Sequence, residues 1–150
     1  MAFVSFSPTK QYAGFSTLTY PTVIPTPIVI TTELTPVQGT TAELLGGLLL
    51  IDCQDAGDYQ LPDAADLVTA IEGCTVNTSF QLLIKNQGDE TVDLLIAETS
   101  GGFVDGANAD VNQTHEQGQG TTSYWMVVIT DVTPGSEAYI FYFIGDIDQS

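Results

Sequence analysis

Runs of period-two alternation, broken by turn signals, constrain this chain more than any other feature. Phe80, Leu82 and Ile84 alternate with Gln81, Leu83 and Lys85. Val92, Leu94 and Ile96 alternate with Thr91, Asp93 and Leu95, and Tyr139, Phe141 and Phe143 with Ile140, Tyr142 and Ile144. A period of two sends successive side chains to opposite faces of an extended strand, and no amphipathic helix has that period. Asn86-Gln87-Gly88-Asp89 separates the first two runs and predicts a hairpin. Val132-Thr133-Pro134-Gly135-Ser136 does the same between Tyr124–Thr130 and Ala138–Ile144. Both faces of the last run are apolar, so it is expected inside a sheet or under a neighbour.

Upstream, Leu48–Ile51 reads as a buried strand ending at Asp52, and Gln54–Gln60 as a polar turn. Leu61–Ile71 is the helix candidate, with Pro62 near its first turn, acids at its N-terminal end and Gly73 as its stop. Leu67, Val68 and Ile71 would face the core. Ala42–Leu45 has room for one helical turn, and residues 100–120, rich in glycine, read as loop. The expected fold is all-β: an antiparallel, jelly-roll-like sandwich with one short helix.

A second asymmetry divides the chain at its N-terminal side. Residues 1–32 contain no acid and one charge, Lys10; all nineteen Asp and Glu lie in 33–150, where Lys85 alone opposes them and the sum is −18. The neutral stretch holds Phe3, Phe6, Tyr12, Phe15 and Tyr20 together with Pro8, Pro21, Pro25 and Pro27. Disordered tails are usually poor in aromatics and strongly charged. Each proline also disfavours helix at the residue before it. The division predicted is an extended Pro/Thr-rich docking arm over 1–37 and a β-sandwich body over 38–150. The arm is expected to bury Phe3, Phe6, Tyr12, Phe15, Tyr20, Ile24 and Ile28 against a partner.

Composition also excludes. Two Lys, no Arg and a net charge of −17 leave little to contact phosphates, which argues against nucleic acid and against anionic membranes. No apolar run reaches the roughly 18 residues that span a bilayer. Met1-Ala2-Phe3-Val4-Ser5 lacks a basic stretch leading into an apolar one, so synthesis in a cytoplasm is expected, with Cys53 and Cys74 as free thiols.

Catalytic chemistry finds no constellation. His115, the single histidine, sits in a polar stretch read as a surface loop, and no G-x-S-x-G elbow accompanies it. Asp52, Asp55 and Asp58 recur at threes but lack the glycine and terminal Glu of an EF-hand loop. Among Asp89, Glu90, Asp93 and Glu98 no pair stands out as a glycosidase dyad. Trp125 and Tyr124, with the aromatic strand 139–143, are candidates for a sugar platform, but their apolar neighbours favour core packing. The expectation is no catalytic residue, no metal and no cofactor.

Several segments taken in order resemble one family. These are Leu44-Leu45-Gly46-Gly47-Leu48-Leu49-Leu50, Leu61-Pro62-Asp63-Ala64-Ala65-Asp66-Leu67, Ser79–Asn86 after Gly73, and Val132–Tyr139. Together, over residues 41–142, the chain resembles the capsid decoration, or cement, proteins of tailed bacteriophages. The resemblance implies a β-rich homotrimer on the outer capsid surface of the virion. It would be seated where capsomers of the major capsid protein meet, and it would clamp the shell without catalysis. A tail-fibre or spike component, a carbohydrate-binding module and an acid hydrolase are the alternatives. The arm lies outside the resemblance and rests on composition alone.

Overall fold

A computed structural model describes residues 25–31, 35–104 and 112–147. Among the described residues ten strands and two helices follow one another: β1 (Ile28–Ile30), β2 (Val37–Gln38), α1 (Thr41–Leu45), β3 (Leu48–Cys53), β4 (Gly57–Gln60), α2 (Ala64–Ala70), β5 (Ser79–Asn86), β6 (Val92–Leu95), β7 (Gly101–Val104), β8 (Thr114–Gln117), β9 (Thr122–Asp131) and β10 (Ala138–Asp146). They form a six-stranded sheet, β1-β3-β5-β9-β10-β7, and a four-stranded sheet, β2-β4-β6-β8. Inward side chains of both build one core, including Ile51, Leu82, Trp125, Val127 and Phe141 from the larger sheet and Tyr59, Val92 and Leu94 from the smaller. The expectation of a mostly β chain in two layers holds.

Its antiparallel order does not. Among the described residues β1, β3 and β5 pair in parallel, as do β2, β4 and β6, and β7 joins β10 in parallel. Among the described residues the antiparallel ladders are β5–β9, β9–β10 and β6–β8, with one isolated antiparallel bridge between Phe103 and Asn112. The cause is that the chain changes sheet at each step from β1 to β9. β1 and β2, β3 and β4, and β5 and β6 are three stacked arches, each placing one strand in each sheet. Parallel neighbours need a long return, and the returns here carry the helices, α1 between β2 and β3 and α2 between β4 and β5.

The hairpin expected at Asn86–Asp89 is therefore an arch, and Asn86 makes it one. Its side chain is fully buried. Its Oδ1 accepts from Gly88 N at 3.0 Å, and its Nδ2 donates to Glu90 O at 2.7 Å and Gln117 O at 3.2 Å. The arches also bond to each other, through Gln54 N to Ile30 O (2.9 Å), Gln87 N to Ile51 O (2.8 Å) and Glu90 N to Cys53 O (3.0 Å). Gly88 is required by this stacking: a Cβ there would strike the Cys53 backbone. Cys53 donates its thiol to Asp55 O (3.0 Å) and Thr91 O (3.3 Å). Burial, and then the neighbouring Glu90, Asp52 and Asp55, push that thiol above its ordinary pKa, which keeps it protonated and unreactive at neutral pH. Both cysteines are free.

Local rules explain the helices. α1 opens on a capping box, Thr40 N to Glu43 Oε2 at 2.7 Å and Glu43 N to Thr40 Oγ1 at 3.3 Å. The same Oε2 accepts from Tyr59 OH at 2.9 Å, tying the helix to β4. α2 follows Pro62 and gives way to Gly73 at φ +68°. It buries Leu67 with Ala64, while Val68 and Ile71 pack beside them as expected. Among the described residues two helices form: α1 is the turn for which Ala42–Leu45 had room, and α2 is the one short helix expected.

Three segments read as turn or loop are strands. β4 replaces the polar turn, because Tyr59 is wholly buried. β7 and β8 occupy what looked like loop. β7 carries Phe103 into the core, and Gly101 (φ +137°) admits the Tyr139 carbonyl where a Cβ would collide with it.

Candidate docking surface

The sandwich has two outer faces of opposite character, and strand parity assigns each residue to its side. In β9, Trp125, Val127 and Ile129 point inward, which leaves Tyr124, Met126 and Val128 outside. In β10, Tyr139 and Phe141 point inward, leaving Ile140, Tyr142 and Ile144 outside. Register aligns these outer residues into rows. Val104, Tyr142, Met126 and Gln81 form one, and Gly102, Ile140, Val128 and Ser79 the next. Tyr124, Leu83 and Leu48 form a third. Tyr142 is 38% exposed, Ile144 53% and Val29, on β1 at the sheet edge, 50%. From β5 and β3, Lys85 and Asp52 bring charge to this face. At about 4.8 Å per strand, six strands make a surface roughly 24 Å across, and apolar patches on this scale mark interaction sites.

The outer face of the four-stranded sheet is acidic. Asp58, Asp93 and Glu116 stand in register across β4, β6 and β8. Like charges placed opposite one another repel. Partial burial first, and then Asp58 and Glu116, raise the Asp93 carboxyl above its ordinary pKa, with His115 opposing. The row lies along the outer face of a sheet, where the sequence had suggested no dyad.

The described chain begins at the margin of the apolar face. Pro25, Thr26 and Ile28 share a cleft of roughly 250 Å3 with Ala42, Glu43, Gly46 and Leu48–Leu50. Ile28 pairs with Ile51, so an extended continuation of β1 brings Pro25 alongside Leu48. Of the seven residues expected to dock, Phe3, Phe6, Tyr12, Phe15, Tyr20 and Ile24 lie outside the described residues. Ile28 is half-buried in β1 and packs against the core. Ile30 is fully buried, and Val37–Gln38 pair with β4, so among the described residues Ile28–Ile30 and Val37–Gln38, which fall within the expected arm 1–37, belong to the two sheets.

The other sequence candidates resolve into structure. Trp125 is wholly buried, with Phe143 at 5.1 Å and Phe103 at 5.6 Å between ring centroids, so it cannot present a sugar platform. Its indole donates to Ser123 Oγ (2.7 Å), which donates to Gln117 Oε1 (2.6 Å). His115 is on β8, not in a loop, and its ring lies 4.6 Å from that of Trp125 in T-shaped contact. Asp52 and Asp58 project from opposite outer faces, with Asp55 on the arch between them. No metal-ligating cluster occurs among the described residues. Sequence reading passed over Leu48, Leu83, Met126 and Val128 as surface. Their signal was the apolar residues at the outward parity of β5, β9 and β10, but only the pairing order places them side by side.

Set against known proteins, the chain matches no family model, no curated protein and no solved structure.

Proposed function

We propose that this chain is a non-enzymatic structural protein of a virion, a capsid decoration protein that binds the outer surface of a shell of major capsid protein and stabilises it by contacts between subunits. One observation carries the reading: a chain of net charge −17 keeps the outer face of one sheet largely apolar, from Leu48 to Tyr142, and gathers carboxylates on the opposite face. A body of this kind binds protein through one side and presents the other to water. The acidic side repels packaged nucleic acid and suits an outward position. Residues 1–24 act as the docking arm. Burial of Phe3, Phe6, Tyr12, Phe15 and Tyr20 contributes roughly 1.5–3 kcal/mol each against the cost of ordering the arm, and the prolines lower that cost in advance. The body acts as a homotrimer, without cofactor, membrane or nucleic acid.

Co-sedimentation with capsids stripped of surface proteins tests this. The full chain should pellet with shells, and a chain lacking residues 1–24 should pellet far less while keeping its far-ultraviolet circular dichroism. The cut stops before Pro25 because Ile30 belongs to the core. Equal pelleting of both chains would overturn the arm's role, and pelleting with tails but not heads would favour a fibre component.

A further inference from the structure

We propose that the outer face of the six-stranded sheet is the seat for residues 1–20 of a second copy of this chain. The inference deepens the reading above and rests on it in treating this segment as a docking arm. Three observations select the occupant. The face is apolar, with Met126, Tyr142 and Ile144 at its centre and margin, and the segment supplies five aromatic residues without one acid. Charge also fits: the segment carries only Lys10, whereas the remainder of the chain is strongly acidic, so its approach is attractive where that of another acidic surface is not. The place where the described chain begins fits as well, since Pro25 lies at the edge of this face, beside Leu48 and Leu50.

Chain direction favours the neighbour's face over the chain's own. β1 is an edge strand, and Pro25 and Thr26 just upstream of it line a cleft with Leu48–Leu50 of β3. In the sequence, Pro21, Pro25 and Pro27 each disfavour helix at the residue before them, which opposes a compact path back over β3, β5 and β9. Twenty extended residues reach up to roughly 70 Å, well beyond the roughly 24 Å width of the sheet. An arm laid on the face of the next copy is a head-to-tail contact, and such contacts close into rings when the rotation permits, as a homotrimer requires.

The test uses the full chain. p-Benzoylphenylalanine replaces Phe15, isotope-labelled and unlabelled copies are mixed in equal amounts and irradiated, and cross-linked peptides are identified by mass spectrometry. A protease that cuts after acids suits a chain with two Lys and no Arg. The expected products join the arm of one label to Tyr124–Thr130 or Ala138–Ile144 of the other. Cross-links within a single label, or to other parts of the body, overturn the inference, and so does a wild-type chain that stays monomeric in sedimentation at every concentration. In a second variant, Tyr142→Asp, the changed side chain is already exposed; it should keep the wild-type melting temperature and weaken self-association roughly tenfold or more. Unchanged association in a folded Tyr142→Asp chain would contradict the proposed seat. Co-sedimentation with shells is read separately, so failure of arm exchange leaves the decoration reading standing and failure of shell binding leaves arm exchange standing.

Discussion

Replacing Asn86 by Ala removes the side chain that holds the third arch closed. The buried Gly88 N–H loses its acceptor, and the Glu90 and Gln117 carbonyls each lose a donor. Glu90 is exposed, and water can replace its partner; Gly88 is buried, and its N–H cannot be rehydrated. An orphaned buried donor costs about 1–3 kcal/mol and each further lost bond about 0.5–1.5. Asn86→Ala should therefore destabilise the chain by roughly 2–4 kcal/mol, a drop of roughly 10–15 °C in melting temperature for a body of this size. Trp125 is the only tryptophan and is wholly buried, so its fluorescence reports urea unfolding directly. The slope against urea should not change, since the surface exposed on unfolding is the same. Gln87→Ala, at the exposed neighbouring position, serves as control and should stay within about 0.5 kcal/mol. Should Asn86→Ala be as mild as Gln87→Ala, the arch is not held as described and the parallel stacking loses its explanation.

Other substitutions probe other parts of the sandwich. Asp93→Asn should stabilise the protein at neutral pH by roughly 0.2–1 kcal/mol, by removing a charge that faces Asp58 and Glu116. The folded state raises the Asp93 pKa, so it binds that proton more tightly than the unfolded chain does, and ionised Asp93 weakens the fold as pH rises through the folded value. The gain from Asn should accordingly fade as pH drops below the ordinary Asp range, and a gain that grew on acidification would refute the sign. Gly101→Ala should cost more than about 3 kcal/mol, because it combines a positive φ with a collision at the Tyr139 carbonyl; near-wild-type urea unfolding would contradict that packing. His115→Ala should lower stability by roughly 0.5–1.5 kcal/mol through the lost contact with Trp125 and leave shell binding intact. Loss of shell binding in a folded His115→Ala chain would place the working surface on the other sheet.

What the sequence disclosed was local. Alternation around Leu82, Val127 and Phe141 was enough to find β5, β9 and β10. The turn at Pro134-Gly135 marked a true hairpin, with Ser136 N bonded to Thr133 O at 2.8 Å. Asn86-Gln87-Gly88-Asp89 misled because a hairpin turn and an arch use the same residues. They differ in whether Asn86 points inward to partners on distant strands, and no local pattern records that. β4 and β8 were missed because their inward side chains, Tyr59 in β4 and His115 and Gln117 in β8, are polar or sit in a polar sequence that hides them. Tyr59 gives its hydroxyl to Glu43, and Gln117 is satisfied by Ser123 and Thr121. The apolar outer face was half legible. The double alternation of Ile140, Tyr142 and Ile144 with Phe141 and Phe143 demanded a cover on both sides, but the contribution of Leu48 and Leu83 to the same face depends on β3 and β5 pairing in parallel.

The central claim is that protein covers this face in the assembled state. Hydroxyl-radical footprinting of Met126 and Tyr142, with Leu95 on the opposite sheet as internal reference, measures it directly. Oxidation of Met126 and Tyr142 should fall several-fold on assembly while that of Leu95 holds steady. Equal oxidation of Met126 and Tyr142 in free and assembled protein would contradict the account.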